Sequence, residues 1–267
     1  MTEHFTIEAA LADLLGEPAL PALGAGPGAE TDPLAAYRNR IVQGDCIEVL
    51  RGMPAESVDF VCTDPPYGVD FKDSLGRTLA NDDREMKWLF PAFAQIYRVL
   101  KPDTFCVSFY GWGRVDLFYA AFRRAGFSIV GHFTAVKPYA SNMRKDSRPG
   151  KKFLAFTHEN AFLLIKGNPE KFERPLEDTL PWKYTNNHFH PTEKPLCTIE
   201  PLIRTFSQPG DLVLDPFCGS GTTAVAAAYN DRDYLGIELK EEYFRKADER
   251  LQAVEAELWD AELEQVS

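Results

Sequence analysis

The sequence lacks the features that would assign the chain to a membrane or to a secretory route. Its 267 residues contain no run of about 18 apolar residues, the length that a transmembrane helix requires. Residues Met1–His4 do not form a basic segment that leads into a long apolar core, so secretion is not expected. We therefore expect a cytoplasmic protein that does not contact a membrane.

Cysteine and histidine are scarce and are not spaced as metal ligands. The five cysteines form no C-x-x-C pair and no zinc-finger pattern, which is typical of small buried residues in a reducing compartment. The five histidines include one close pair, His188 and His190, which we do not interpret as a metal site; His190 is expected to shape a pocket instead. We predict no metal site. A G-K-[ST] sequence is also missing, which excludes a phosphate-binding P-loop.

A stiff polar loop follows the apolar run Val58–Val61 and is the most informative segment present. Its sequence is Cys62-Thr63-Asp64-Pro65-Pro66-Tyr67-Gly68. Two successive prolines fix φ and remove two backbone donors, which leaves nearby carbonyl groups as rigid acceptors. The Asp64 carboxylate and the Pro65 carbonyl can accept two hydrogen bonds from one amino group, while the Tyr67 ring stacks on a planar heterocycle. This combination indicates a site for the exocyclic amino group of a nucleobase.

A second motif consists of a strand, a glycine loop, a helix, another strand and an acid. Leu212–Leu214 predicts the first strand, and the next predicted strand ends on Glu238. The loop between them reads Asp215-Pro216-Phe217-Cys218-Gly219-Ser220-Gly221-Thr222. Such a unit binds an adenosine-type cofactor, because the glycines allow close approach and the acid accepts hydrogen bonds from the ribose.

Two kinds of cofactor fit this unit. Gly219, Gly221 and Ala224 match the loose G-x-G-x-x-A pattern of nicotinamide enzymes. Asp215, however, would lie at the strand end where a pyrophosphate must sit, and the two anions would repel each other. S-adenosylmethionine carries a sulfonium and an ammonium group and no phosphate. Asp215 therefore favours S-adenosylmethionine.

Together these residues resemble the amino-group DNA methyltransferases, which methylate N6 of adenine or N4 of cytosine. D-P-P-Y is similar to the catalytic motif of that family, and D-P-F-C-G-S-G-T is similar to its cofactor motif. The catalytic motif comes first, an order that resembles the permuted β group. Two further segments, Val42–Cys46 and His190–Leu196, resemble family segments that border the cofactor.

The resemblance implies a role for each matching residue. It implies that Asp45 contacts the cofactor adenine and that His190 lies beside the methionine end. The implied catalytic residues are Asp64, Pro65, Pro66 and Tyr67. The implied cofactor-binding residues are Asp45, Cys46, His190, Lys194, Asp215, Phe217, Gly219, Ser220, Gly221, Thr222 and Glu238.

The resemblance also implies a fold. We expect a Rossmann-like α/β methyltransferase fold, with a mostly parallel seven-stranded sheet, one antiparallel strand and helices on both faces. Ligands of open parallel sheets lie outside the carboxyl ends of the strands at a switch point. The strands that lead to Asp64 and Asp215 should therefore be neighbours. Helices are predicted over Glu85–Leu100, from Pro195 in a first turn, and over Glu241–Glu264 as a solvated acidic element.

The chain is predicted to consist of two parts. Residues 1–36, rich in Ala, Leu, Pro and Gly, are predicted to be a flexible lead, and residues 37–267 a methyltransferase domain. Within that domain, residues 139–189 are interpreted as the insertion that recognises the target sequence, since family members diverge there. The loop Val69–Asp83 could close over a flipped base or could be an ordinary crossover loop.

The implied reaction is a direct displacement. A base within a duplex must be flipped out, which costs a few kcal/mol, and stacking on Tyr67 offsets roughly 1–3 kcal/mol of that. Asp64 and the Pro65 carbonyl then direct the lone pair of the amine toward the methyl group. D-P-P-Y favours N6 of adenine in DNA at a specific site. N4 of cytosine and an RNA amino group remain alternatives. A catalytically silent module would predict a degraded Asp64 or Tyr67, and both are intact.

The charge distribution complicates an interaction with DNA. The net charge of −11 does not favour bulk attraction to a polyanion. Residues 137–195, however, contain eleven Lys or Arg residues and seven Asp or Glu residues. Five basic residues cluster there: Arg144, Lys145, Arg148, Lys151 and Lys152. We interpret them as phosphate contacts of an arm rather than as a solvated loop. Expected partners are double-stranded DNA, a second copy of the chain and a cognate restriction endonuclease.

Overall fold

The strands form one mixed sheet in which a single strand is reversed. The computed structural model describes residues 32–73, 76–141, 153–185 and 189–266. The strands are β1 (Arg40–Gln43), β2 (Val58–Thr63), β3 (Leu100–Tyr110), β4 (Ser128–Val136), β5 (His158–Lys166), β6 (Thr179–Leu180), β7 (Leu212–Asp215) and β8 (Asp233–Glu238). Their order is β1-β8-β7-β2-β3-β5-β4-β6. Strand β5 runs antiparallel to both of its neighbours, and the other pairs are parallel.

The predicted fold class is confirmed, with one additional strand. The two-residue strand β6 pairs with β4 beyond the seven expected strands, and the Thr134 amide donates to the Asp178 carbonyl beside it. A two-residue strand has no periodicity of its own, so the sequence pattern does not reveal it. Strands β2 and β7 are neighbours, with Phe60 opposite Val213 and Val61 opposite Leu214, as predicted from the two motifs.

Helices cover both faces of the sheet. They are α1 (Cys46–Arg51), α2 (Leu89–Val99), α3 (Val115–Ala125), α4 (Leu196–Phe206), α5 (Thr222–Ala228) and α6 (Glu241–Val266). Side chains alternate along β2, so Val61 packs with α1, α2 and α3, whereas Phe60 and Cys62 pack with α4, α5 and α6. Burial on both faces explains why the strands are apolar almost throughout. Among the described residues, no helix is long and apolar enough to cross a membrane.

Two helices begin later than the sequence pattern predicts. Helix α2 begins at Leu89 rather than Glu85, because Met86 has φ of +46° and the amides of Glu85 and Met86 donate to the Asp83 side chain. These side-chain bonds offer the backbone an alternative to the helix. Pro195 is the N-cap residue of α4, with ψ of 144°, and not a residue of its first turn.

The C-terminal helix α6 is not the solvated element that its acidic composition suggests. Tyr243, Ala247, Leu251 and Val254 are buried along one face, although charged residues occupy the opposite one. Their spacing of three and four residues places them on a single stripe. Ala247 lies close to the glycine loop, where a Cβ at Gly221 would come within 3.2 Å of the Ala247 Cβ. Helix α6 therefore supports the loop that opens α5.

Candidate active site

Four acids gather at the carboxyl edge of the sheet. Asp45 follows β1, Asp64 follows β2, Asp215 ends β7 and Glu238 ends β8. These four strands are consecutive in the sheet and parallel, so their carboxyl ends meet at one edge. A cavity at this edge is lined by all four acids. The two sequence motifs, which are far apart in the chain, therefore contribute to one site.

Both oxygens of the Asp64 carboxylate already have donors. The Tyr67 hydroxyl donates to Oδ1 at 2.7 Å, and the Lys194 ammonium donates to Oδ2. Lys194 is buried and also lies 2.9 Å from Oε2 of Glu159. Burial raises the pKa of the Asp64 carboxyl, while the Lys194 cation opposes that change. The predicted catalytic carboxylate is thus held in place by a buried ion-pair network.

Glu159 and Lys137 belong to this network but were not predicted from the sequence. Glu159 lies near the start of β5 and forms ion pairs with Lys194 and Lys137. Burial raises the pKa of Glu159, but the two ammonium groups outweigh it and hold the pKa at about 2. Lys137 also lies 4.7 Å from the centroid of the Trp182 ring. The available signal was weak, since an acid near the start of a predicted strand is usually a surface residue.

The turn that follows β7 is shaped by Asp215 and by glycines. Oδ1 of Asp215 accepts hydrogen bonds from the Thr63 hydroxyl at 2.8 Å and from the Phe217 amide at 3.1 Å. Burial raises the pKa of this carboxyl to about 6. Gly219 and Gly221 have φ of +50° and +75°, backbone angles that residues with a Cβ rarely adopt.

The glycine loop is tied to the acid that ends the next strand. The Gly219 amide donates to Oε2 of Glu238 at 3.0 Å, and the Lys240 amide donates to Oε1 at 2.8 Å. Burial raises the pKa of Glu238, and these amide donors oppose that change. Ser220 and Thr222 are buried at the start of α5, with their hydroxyl oxygens 3.2 Å apart. Glu238 therefore couples the loop geometry to the cavity.

Asp45 and Cys46 lie next to Glu238, since the Gly44 amide before them donates to the Glu238 carbonyl at 3.0 Å. Oδ1 of Asp45 accepts the Ile47 amide at 2.8 Å, which makes Asp45 the N-cap of α1. The Cys46 side chain is buried, and burial raises the pKa of its thiol, so it remains a neutral apolar contact. Both residues line the cavity. Their contact with the cofactor stays a prediction.

His190 and Lys194 also line the cavity, with different surroundings. The His190 ring lies 4.3 Å from the Tyr243 ring, measured between centroids, and burial lowers the pKa of His190 to about 3. It is therefore a neutral ring at pH 7. Lys194 places its ammonium group on the two acids, Asp64 and Glu159, while its carbonyl accepts from the Thr222 hydroxyl at 3.1 Å. A contact between Lys194 and the cofactor stays a prediction.

The loop that follows the D-P-P-Y motif borders the same cavity. The side chain of the buried Asp82, near the end of this loop, accepts hydrogen bonds from the amides of Gly68 at 2.7 Å and Phe71 at 2.6 Å. Asp82 therefore ties the end of the loop to its start. Phe71 lines the cavity, and Trp88 packs at 5.0 Å from the Phe217 ring. These residues were missed by sequence analysis. Closure of the loop over a flipped base stays a prediction.

The basic cluster cannot be placed in the same way. Arg144, Lys145, Arg148, Lys151 and Lys152 lie outside the described residues. The described ends of this segment are Ser141, whose amide donates to the Phe156 carbonyl at 2.9 Å, and Phe153, which is exposed. Contact between the cluster and phosphate groups therefore stays a prediction.

The charges of the cavity fit one of the two cofactor classes. Its charged lining consists of Asp45, Asp64, Asp82, Glu159, Glu193, Asp215, Glu238 and Lys194. Seven carboxyl groups thus face one ammonium group, which is itself paired with two of them. A cofactor with a sulfonium and an ammonium group fits such a lining, whereas a pyrophosphate would be repelled.

Comparison with known families agrees with this geometry. A model for the N6/N4 methylases, described as "DNA methylase", matches residues 58–249. The chain belongs to this DNA methylase family. The matched residues include both the D-P-P-Y motif and the glycine loop, and the predicted β-group resemblance is confirmed. The family model covers methylation at either amino position, N6 or N4.

Individual relatives extend over most of the chain. YubD of Escherichia coli (strain K12), provisionally named a methylase, is 49% identical over 217 residues, which are 81% of this chain and 92% of YubD. YhdJ of the same strain, named a DNA adenine methyltransferase, is 29% identical over a stretch that covers 84% of this chain and 86% of YhdJ. TTHA0409 of Thermus thermophilus, solved with S-adenosyl-L-methionine, has a TM-score of 0.60 and 25% identity, covering 80% of this chain and 93% of TTHA0409.

Proposed function

We propose that this DNA methylase transfers a methyl group to N6 of adenine at a specific DNA sequence. The observation that carries the proposal is the position of Asp64. It directly follows β2, and β2 is the neighbour of β7, the strand that ends in Asp215. An amine held by Asp64 would lie beside a methyl donor held near the glycine loop. The D-P-P-Y sequence favours adenine over cytosine, and so does the likeness to YhdJ, which is named a DNA adenine methyltransferase.

S-adenosyl-L-methionine is the methyl donor, and when bound it supplies a methyl group on a sulfonium cation. The residues near Asp215 would hold its charged end, since the cavity there is anionic and the His190 ring beside Gly219 is neutral. Asp45, Cys46 and Glu238 would hold the adenosine end, where Glu238 offers carboxylate oxygens to ribose hydroxyls. Phe217, Ser220 and Thr222 would shape the wall between the two ends.

The residues of D-P-P-Y would orient the acceptor amine. Asp64 and the Pro65 carbonyl would accept hydrogen bonds from its two N–H groups, and the Tyr67 ring would stack on the flipped base. The N–CH3 bond would form as the S–CH3 bond breaks, S-adenosylhomocysteine would leave, and one amine proton would pass to Asp64 or to solvent. Pro66 would keep the turn rigid. This arrangement directs the lone pair of the nitrogen toward the methyl group, so that positioning and electrostatics supply most of the acceleration. None of these steps requires a covalent bond between the enzyme and the base.

The reaction product gives a direct test. The protein is incubated with radiolabelled S-adenosylmethionine and plasmid DNA from a host without DNA methyltransferases, and the DNA is digested to nucleosides. We expect the label in N6-methyldeoxyadenosine. Label in N4-methyldeoxycytidine would support the second candidate of the family. Label that enters cellular RNA but not DNA would contradict the proposal.

Residues 139–189 would read the target sequence, and the basic cluster would contact phosphates. Each such contact adds about 0.9 to the slope of log affinity against log salt on duplex DNA. Replacement of Lys151 and Lys152 by Gln is therefore expected to flatten the slope by up to about 2, without a change in cofactor affinity. Binding at four salt concentrations for wild type and double variant checks this. Parallel lines would indicate a solvated loop.

The wider assembly is also part of the proposal. Residues 1–36 would be a flexible lead to the methyltransferase domain 37–267, which would act in the cytoplasm. A homodimer and a cognate restriction endonuclease are the partners that the family resemblance suggests. Sedimentation of the purified protein would give its oligomeric state, with a mass of twice 30.0 kDa expected.

A further inference from the structure

Both donors that occupy Asp64 also reach a second acid, Glu159. The Tyr67 hydroxyl lies 2.7 Å from Oδ1 of Asp64 and 3.5 Å from Oε2 of Glu159. The Lys194 ammonium contacts Oδ2 of Asp64 and lies 2.9 Å from the same Oε2 of Glu159. One oxygen of Glu159 is therefore within reach of both side chains, Tyr67 and Lys194, that donate to Asp64 among the described residues.

This sharing matters because the amine of a base must compete for Asp64. Each oxygen of the Asp64 carboxylate already accepts a hydrogen bond, so an incoming amino group competes with the Tyr67 hydroxyl and the Lys194 ammonium for the remaining acceptor capacity. Lys194 is buried, and a buried cation without a partner is strongly destabilising. If Lys194 gives way to the amine, it therefore needs another acceptor within reach.

We propose that Glu159 is a positioning residue that holds Lys194 and Tyr67 while Asp64 accepts the amine of the base. The inference rests on the proposed function and names how its site exchanges partners. Glu159 acts through these two donors and is not assigned a contact with the base. When Lys194 moves off Asp64, its ion pair with Glu159 remains, so the buried cation keeps a partner as the base enters.

Glu159 is itself fixed from the side opposite Lys194. The Lys137 ammonium forms an ion pair with Oε1 of Glu159, which leaves Oε2 for the shared donors. The Lys137 amide donates to the Thr157 carbonyl at 2.7 Å, so the pairing of β4 with β5 places both side chains. The acid is therefore anchored, and Lys194 and Tyr67 are the groups whose partners change.

Replacement of Glu159 by Gln tests the role with almost no change in shape. The neutral amide attracts Lys194 less, so Lys194 should remain on Asp64 and compete with the amine. We expect the single-turnover rate of methyl transfer to plasmid DNA to fall about tenfold or more, with the affinities for S-adenosylmethionine and DNA within about threefold of wild type. A variant that lost cofactor affinity and thermal stability but kept its rate would show a structural role only.

A second variant distinguishes positioning from a general loss of charge. If Glu159→Gln is slow because Lys194 holds Asp64, then Glu159→Gln combined with Lys194→Met should be faster than Glu159→Gln alone. Residues of one network are expected to show such non-additivity. A double variant that is slower than the single one would overturn the proposal.

The chain offers a matched control at the other end of β5. The buried Lys166 lies 3.5 Å from the Glu56 carboxylate, far from the cavity lining. Glu56→Gln makes the same chemical change beside a buried lysine and is expected to leave the rate unchanged. The proposed function is judged separately, on the wild type: if the wild type methylates no DNA, the function fails, and the role of Glu159 fails with it.

Discussion

Replacement of Asp64 by Ala is expected to lower the single-turnover rate of methyl transfer by at least about a hundredfold, the effect of removing a preorganised group that acts on the reacting centre. Affinity for S-adenosylmethionine should change by no more than a few-fold. The reason is that Asp64 would hold the acceptor amine, whereas the cofactor would lie mainly against β7, β8 and the segment after β1. Rapid-quench kinetics and calorimetric titration of the cofactor measure the two quantities.

The surrounding network makes this variant interpretable. When Asp64 is removed, Lys194 keeps Glu159 as a partner at 2.9 Å, so no buried cation is left unpaired. Asp116→Ala, an exposed acid on α3, is the matched control and should retain the wild-type rate. If Asp64→Ala kept more than about a tenth of that rate, a loss below about 1.4 kcal/mol, the assigned role would be wrong.

The meeting of the two motifs could be predicted because it depends on a general property of parallel sheets. Asp64 and Asp215 each follow a buried apolar strand, and the carboxyl ends of such strands share one edge. The glycine loop could be predicted as well, since the positions with positive φ, Gly219 and Gly221, are the ones that the sequence marks with glycine. These features are local in sequence, and the rules that connect them to the fold are geometric.

The ion-pair network could not be predicted, because its members are distant in sequence and individually ordinary. Glu159 lies 92 residues from Tyr67, and Lys194 lies 130 residues from Asp64. Near the start of a strand, Glu159 resembles any solvated acid. Its position against Lys137 and Lys194 follows from the reversal of β5, which brings the start of that strand to the carboxyl ends of β3 and β4.

Helix boundaries failed for a different reason. Apolar spacing favoured a start of α2 at Glu85, but the Asp83 side chain accepts the amides of Glu85 and Met86 and holds them in a turn, so that the helix begins only at Leu89. For α6, composition was misleading: an acidic surface conceals a buried stripe that includes Tyr243. Side-chain competition and one-sided packing both need tertiary contacts to be recognised.

Replacement of Glu238 by Ala is expected to weaken S-adenosylmethionine binding by about tenfold to a hundredfold, since a charged hydrogen-bond acceptor contributes about 1.5–3 kcal/mol. Two losses combine here. The ribose would lose its carboxylate acceptor, and the Gly219 amide would lose the oxygen that now accepts it at 3.0 Å. DNA affinity should change little, because Glu238 ends β8, which β7, β2 and β3 separate in the sheet from β5, β4 and β6.

Glu242→Ala is the matched control for Glu238, since Glu242 is a neighbouring acid at the start of α6 that pairs with Lys246. It should leave cofactor affinity at the wild-type value. Calorimetric titration with S-adenosylmethionine and fluorescence anisotropy with duplex DNA give the two affinities separately. Unchanged cofactor affinity in Glu238→Ala would place the ribose elsewhere and would remove the adenosine end from the proposed site. A parallel loss of DNA affinity would instead assign Glu238 to the general stability of this edge, because a ribose contact by itself has no reason to weaken the DNA complex.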